Sequence, residues 1–204
     1  MSKLVFVVTG SSGIVGVGGF VAYQNGLFSS TNKTETLTVK TRLIKEGYEL
    51  VSSDEKFQEF FKEFKTNEEF VKELNKHRRD GENLESDNGD KGKVALKALC
   101  SSYFDSKDSL DKAIKWCVLR IKDKKPNEKA WISDDGGSDG ADWKSAFNKS
   151  KNEMINQKIS GVDGSTNDDK GKDAIKQWCT ENKKLPINTK NNQTQNNVVS
   201  WCTK

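Results

Sequence analysis

The segment Asp90-Lys91-Gly92-Lys93-Val94-Ala95-Leu96-Lys97-Ala98-Leu99-Cys100 returns, ungapped, as Asp169-Lys170-Gly171-Lys172-Asp173-Ala174-Ile175-Lys176-Gln177-Trp178-Cys179. Each copy reads as a helix start, with a carboxylate at the mouth, an Ala and Leu/Ile stripe, and a cysteine at the far end. Each copy is then followed by a Trp-Cys pair, Trp116-Cys117 after the first and Trp201-Cys202 after the second. A chain that repeats such an element is built from two like helical units, so the expected fold is mainly α and internally duplicated.

Composition tells what must hold such units together. Hydrophobic residues make up 33% and charged residues 31%, so the core is thin for 204 residues, and cross-links commonly supply what a thin core lacks. The four cysteines, Cys100, Cys117, Cys179 and Cys202, include no Cys-x-x-Cys pair, which argues for disulfides over a zinc site. Two pairings are open. One closes each unit on itself, Cys100 with Cys117 and Cys179 with Cys202; the other joins the units, Cys100 with Cys179 and Cys117 with Cys202. In a simple antiparallel helix hairpin Cys117 would overshoot Cys100 by roughly 12 Å, so the first pairing requires crossed helices.

After Lys3 no charged residue occurs until Lys33. Residues 4–23 form an uncharged run of the length that crosses a hydrocarbon core of about 30 Å, and with one lysine before it and no Ala-x-Ala-like site after it, it reads as an uncleaved anchor. The same run contains Thr9-Gly10-Ser11-Ser12-Gly13-Ile14-Val15-Gly16, the glycine turn of extended short-chain NAD-dependent dehydrogenases, and Tyr103 and Lys107 have the spacing of that family's catalytic pair. The dehydrogenase ranks a distant third among readings, because residues 30–204 contain no run suited to a buried parallel strand.

The expected boundaries are a transmembrane anchor at 1–24, a stalk and first short helix at 25–53, a helical unit at 54–126, and a second at 127–204. Phe57, Phe60, Phe61 and Phe64 fall at helical spacing behind a cap at Asp54, Asn67 opens the next helix, and 106–122 reads as one helix with Leu110, Ile114, Cys117, Val118 and Ile121 facing inward. Asp142 is the expected cap of a later helix. Three polar stretches, 134–140, 161–168 and 182–197, read as surface loops and the partner-facing parts, the last of them extended or disordered. The loop at 134–140 lacks the glutamate a calcium loop wants at its twelfth position.

The net charge of +4 arises from 34 basic and 30 acidic residues intermixed along the chain. No sustained basic face appears, and Lys76-His77-Arg78-Arg79 is a solvated helix end, so nucleic acid is not an expected partner. His77 is the only histidine. No carboxylate sits in an apolar run where its pKa would be raised, so no catalytic, cofactor or metal residue is assigned.

An N-terminal anchor, a lysine-rich helical body and the elements Ala95 to Cys100, Ala174 to Cys179 and, one residue shorter, Ala113 to Cys117 resemble the large paralogous families of similar length in haemotropic mycoplasmas. The resemblance covers nearly the whole chain. It implies a membrane-associated protein of a wall-less cell, varied to evade immunity, and it transfers no catalytic residue. The leading expectation is a non-enzymatic surface protein, held in the membrane by residues 4–23 with its body outside the cell, acting in adhesion, nutrient capture or antigenic display toward a host protein or ligand. The alternative is a membrane-tethered structural or regulatory protein facing the cytoplasm, which the excess of Lys33, Lys40, Arg42 and Lys45 over Lys3 favours.

Overall fold

Apolar residues on narrow helical stripes can be buried only by packing stripe on stripe, and the described residues do so in eight α-helices. The computed structural model describes residues 37–79, 83–124, 126 and 128–204. The expected anchor and the glycine turn within it lie outside those residues. No helix among the described residues is long and apolar enough to cross a membrane.

The first repeat opens with α1 (Val39–Lys45), whose Val39 and Leu43 are fully buried. In α2 (Asp54–Phe64), Phe57, Phe60 and Phe61 form the inner stripe, and the cap is Ser53, which accepts the Lys56 N–H, while Asp54 reaches Lys97. Asn67 caps α3 (Glu68–Leu74) by accepting the Phe70 N–H at 3.0 Å. The repeated element forms α4 (Asp90–Asp105), and Asp87 serves its start by accepting the Gly89 and Gly92 N–H groups at 2.8 Å each. Helix α5 (Leu110–Trp116) stops before Cys117.

The expected continuous helix over 106–122 is therefore corrected. Val118 and Ile121 are buried as expected, but from an extended strip that ends in a 3-10 turn (Ile121–Asp123) and pairs on both sides. On one side Val51 N–H donates to Cys117 O and Leu119 N–H to Glu49 O; on the other Ile187 N–H donates to Leu119 O and Ile121 N–H to Leu185 O. These backbone groups cannot serve a helix and the strip at once. Leu119 packs against the cores of both repeats.

The second repeat contains α6 (Ala141–Asn156), α7 (Asp168–Asn182) and α8 (Asn192–Trp201). Gly140 occupies the cap position of α6, and Asp142, expected there, pairs instead with Lys204. The tract 182–197, expected to be extended or disordered, is a second correction. It carries α7's end, a bridge at Pro186, a 3-10 turn at Thr189–Asn191 and most of α8, which Val198 and Trp201 fasten to the core. Tertiary burial outweighs the weak helix propensity of its Asn and Thr residues.

The two repeats match well beyond the ungapped segment. A Cβ at Gly92 would lie 2.4 Å from the Phe61 ring, and one at Gly171 would lie 2.2 Å from Phe147, so each repeated glycine admits a phenylalanine from the preceding long helix. Each repeat closes on itself, with Leu50 bridged to Val118 in the first and Trp131 to Thr203 in the second. Helix α3 corresponds to the last turns of α6: Phe70 meets Trp116 and Glu73 pairs with Lys112, whereas Glu153 meets Trp201 and Gln157 meets Asn197.

The disulfides are Cys100–Cys117, with Cα atoms 5.6 Å apart, and Cys179–Cys202, at 5.8 Å. Both lie within repeats. The overshoot expected for Cys117 does not arise, since α4 rises past Cys100 as far as Asp105 and α5 returns from Leu110, two legs of nearly equal length.

Candidate functional site

Where the repeats differ is where a site is to be sought, because shared features belong to the scaffold. Helix α1 packs along α4 and α5, with the Val39 N–H donating to Ser106 O at 2.8 Å and Arg42 Nη1 to Lys107 O at 3.4 Å. Among the described residues the second repeat has no counterpart of α1, because the chain enters it through the shared strip. The consequence appears on the repeated helices. Ala95, Leu99 and Tyr103 are buried on α4, whereas their equivalents Ala174, Trp178 and Asn182 on α7 are only half-buried.

That uncovered face borders an open groove of about 460 Å³ between α7 and residues 158–161. Ile159, Ala174 and Trp178 supply its apolar surface, while Lys158, Lys170, Asp173 and Glu181 supply charges of both signs. Trp178 is held from behind by Trp201, ring centroids 4.7 Å apart, and Gln177 donates to Glu181 at 3.0 Å. A half-exposed indole beside hydrogen-bonding side chains can bind a ligand through stacking and polar contacts. Nothing in the sequence pointed to this groove except the replacement of Leu99 and Ala98 by Trp178 and Gln177 in the second copy.

The strongly perturbed groups lie elsewhere and serve the scaffold. A hydrogen bond from Lys76 chiefly holds the Glu73 carboxyl at about 2, against burial, which pushes it upward, with Lys112 and Tyr103 also donating. Burial and the adjoining Glu73 push the Tyr103 hydroxyl far up, and it donates to Glu73 at 3.1 Å. A tyrosine so placed is no acid or base near neutrality, and Lys107 lies exposed beyond the end of α4, so the dehydrogenase-like pair is not assembled here. Burial would raise Glu63, but hydrogen bonds from Arg120 and Lys122 hold it at about 2. Arg120 is itself stacked over Phe60, 4.4 Å from the ring centroid, and bonded to Asp123.

The remaining sequence candidates resolve into structure. His77 sits half-buried in the turn after α3. The loop at 134–140 wraps Trp143, whose Nε1 donates to Ser133 O at 3.0 Å, and a Cβ at Gly136 (φ 69) would lie 2.1 Å from the Trp143 ring. The loop at 161–168 is pinned by Asp163, which accepts from Ser165 and Thr166, and by Lys151, which donates to Gly164 O and Thr166 O. Both loops are thus held by hydrogen bonds to or from residues of their own and of α6. Lys183 lies between Trp131 and Trp143, 5.1 and 5.6 Å from their centroids, and burial lowers its pKa while Asp134 opposes the shift. Among the described residues no group of three or more His, Cys, Asp or Glu side chains is arranged to hold a metal. No protein-family model, curated protein or solved structure matches the chain.

Proposed function

We propose that this protein is a membrane-anchored, non-enzymatic surface protein whose body lies outside the cell and binds through the groove on α7, in adhesion or display toward a host partner. The observation that carries the orientation is the buried disulfide in each repeat, Cys100–Cys117 and Cys179–Cys202, since such bonds persist in oxidising surroundings and are rare in the cytoplasm. The uncharged run 4–23 supplies the anchor. The groove supports a binding reading because it joins an apolar platform to charges of both signs.

Protease applied to intact cells tests the orientation. Removal of the body before lysis is expected; protection until the membrane is opened would favour the cytoplasm-facing alternative. The groove is tested separately by Asp173→Lys, an exposed position on α7 that leaves the Trp178–Trp201 contact in place. Attachment of purified protein to host cells should fall while its melting temperature stays unchanged.

A further inference from the structure

We propose that the outer face of α1 lies on the membrane into which residues 4–23 insert, so that the first repeat is docked on the lipid surface. This inference rests on the anchored reading above. Among the described residues, the exposed large apolar side chains are Leu37 (46% exposed), Ile44 (59%) and Val94 (45%). Ile44 lies on the outer face of α1 and Leu37 immediately before its cap, Thr38, while Val39 and Leu43 of the same helix are buried in the core. Lys40 and Lys45 flank the same outer face, both exposed and neither ion-paired to another described residue. Apolar side chains bordered by lysines suit a lipid interface, where the apolar atoms enter and the ammonium groups reach the headgroups.

Position in the chain selects this occupant over a protein partner. Leu37 is the first described residue, and only the 13 residues 24–36 separate it from the end of the uncharged run. A segment of that length spans at most about 45 Å even fully extended, which holds α1 within reach of the bilayer and makes its docking intramolecular. Two apolar side chains then suffice for docking that would be too weak for a free protein. Thr38 caps α1 by accepting the Thr41 N–H, so the helix is ordered before it meets lipid.

The test uses the full chain in vesicles of phosphatidylcholine and phosphatidylglycerol, probed by hydroxyl-radical footprinting read by mass spectrometry. Val94, similarly exposed but on α4, is the internal reference. With labelling corrected for intrinsic reactivity, Leu37 and Ile44 should be labelled at least about fivefold less than Val94, as expected for side chains set several ångströms into the interface. Ile44→Glu should return Leu37 to the Val94 level while the protein still floats with the vesicles. Flotation with equal labelling at all three positions would overturn the docking and leave the anchor standing. Failure to float would overturn both.

Discussion

Trp116 and Trp201 are equivalent, each preceding the second cysteine of its repeat and each fully buried, yet their indole N–H groups fare differently. Trp201 Nε1 donates to Glu153 at 2.9 Å, while Trp116 Nε1 finds no acceptor among the described residues. Substitution by Phe removes the same atoms at both positions, so the difference between the two isolates the hydrogen bond. Trp201→Phe should cost about 1.5–3 kcal/mol more than Trp116→Phe in urea unfolding, the range for bonds to charged acceptors. The repeated glycines make a second test. Gly92→Ala and Gly171→Ala gain helix propensity but force a methyl group against a phenylalanine ring, and each should lower stability by about 1–2 kcal/mol net. The glycines were visible in the repeat, but their reason was not, because Phe61 and Phe147 come from helices that the sequence does not align with them.

At the scale of elements, periodicity located the helices that pack by their stripes and failed where distant backbone decides. The Phe57, Phe60, Phe61 stripe and the Asn67 cap were legible because both are local signals. The end of α5 was not, since Cys117 leaves the helix to pair with Val51, sixty-six residues earlier in the chain. Helix α8 was hidden by composition, its polar first turns being secured by Asn197, which donates to Gln157 at 2.6 Å. The groove was missed for a related reason: what exposes Trp178 is the lack of an α1 counterpart, which no motif announces. Each repeat depends on its own disulfide. Replacing Cys100 and Cys117 together by Ala, or Cys179 and Cys202 together, should lower stability by about 3 kcal/mol for closed loops of this length in the chain-entropy model. Because each bond closes a separate repeat, the two losses should add to within a few tenths of a kcal/mol.

Across the whole body, the strip 117–122 joins the repeats by backbone pairing, and Arg120 locks it to α2 through Glu63, with Nη–Oε distances of 2.7 and 2.8 Å. Glu63 and Glu73 both have folded-state values of about 2 against an ordinary value of 4.5, so the stability they contribute is present above about pH 4.5 and is lost as pH falls toward 2. Solvent screening at the partly exposed Glu63 makes its share the smaller for a given shift. Thermal melts should therefore fall steeply between these limits, and Glu73→Gln should flatten that fall while lowering stability at neutral pH. A melting temperature unchanged down to pH 2.5 would count against both carboxylates. The proposal that two self-closing disulfide repeats are carried outside the cell on an N-terminal anchor is most directly tested by alkylating living cells with a membrane-permeant maleimide and mapping peptides without reduction. The expected map contains the Cys100–Cys117 and Cys179–Cys202 linked peptides and no alkylated cysteine. Four alkylated thiols would contradict it, placing the body in a reducing compartment with neither repeat closed.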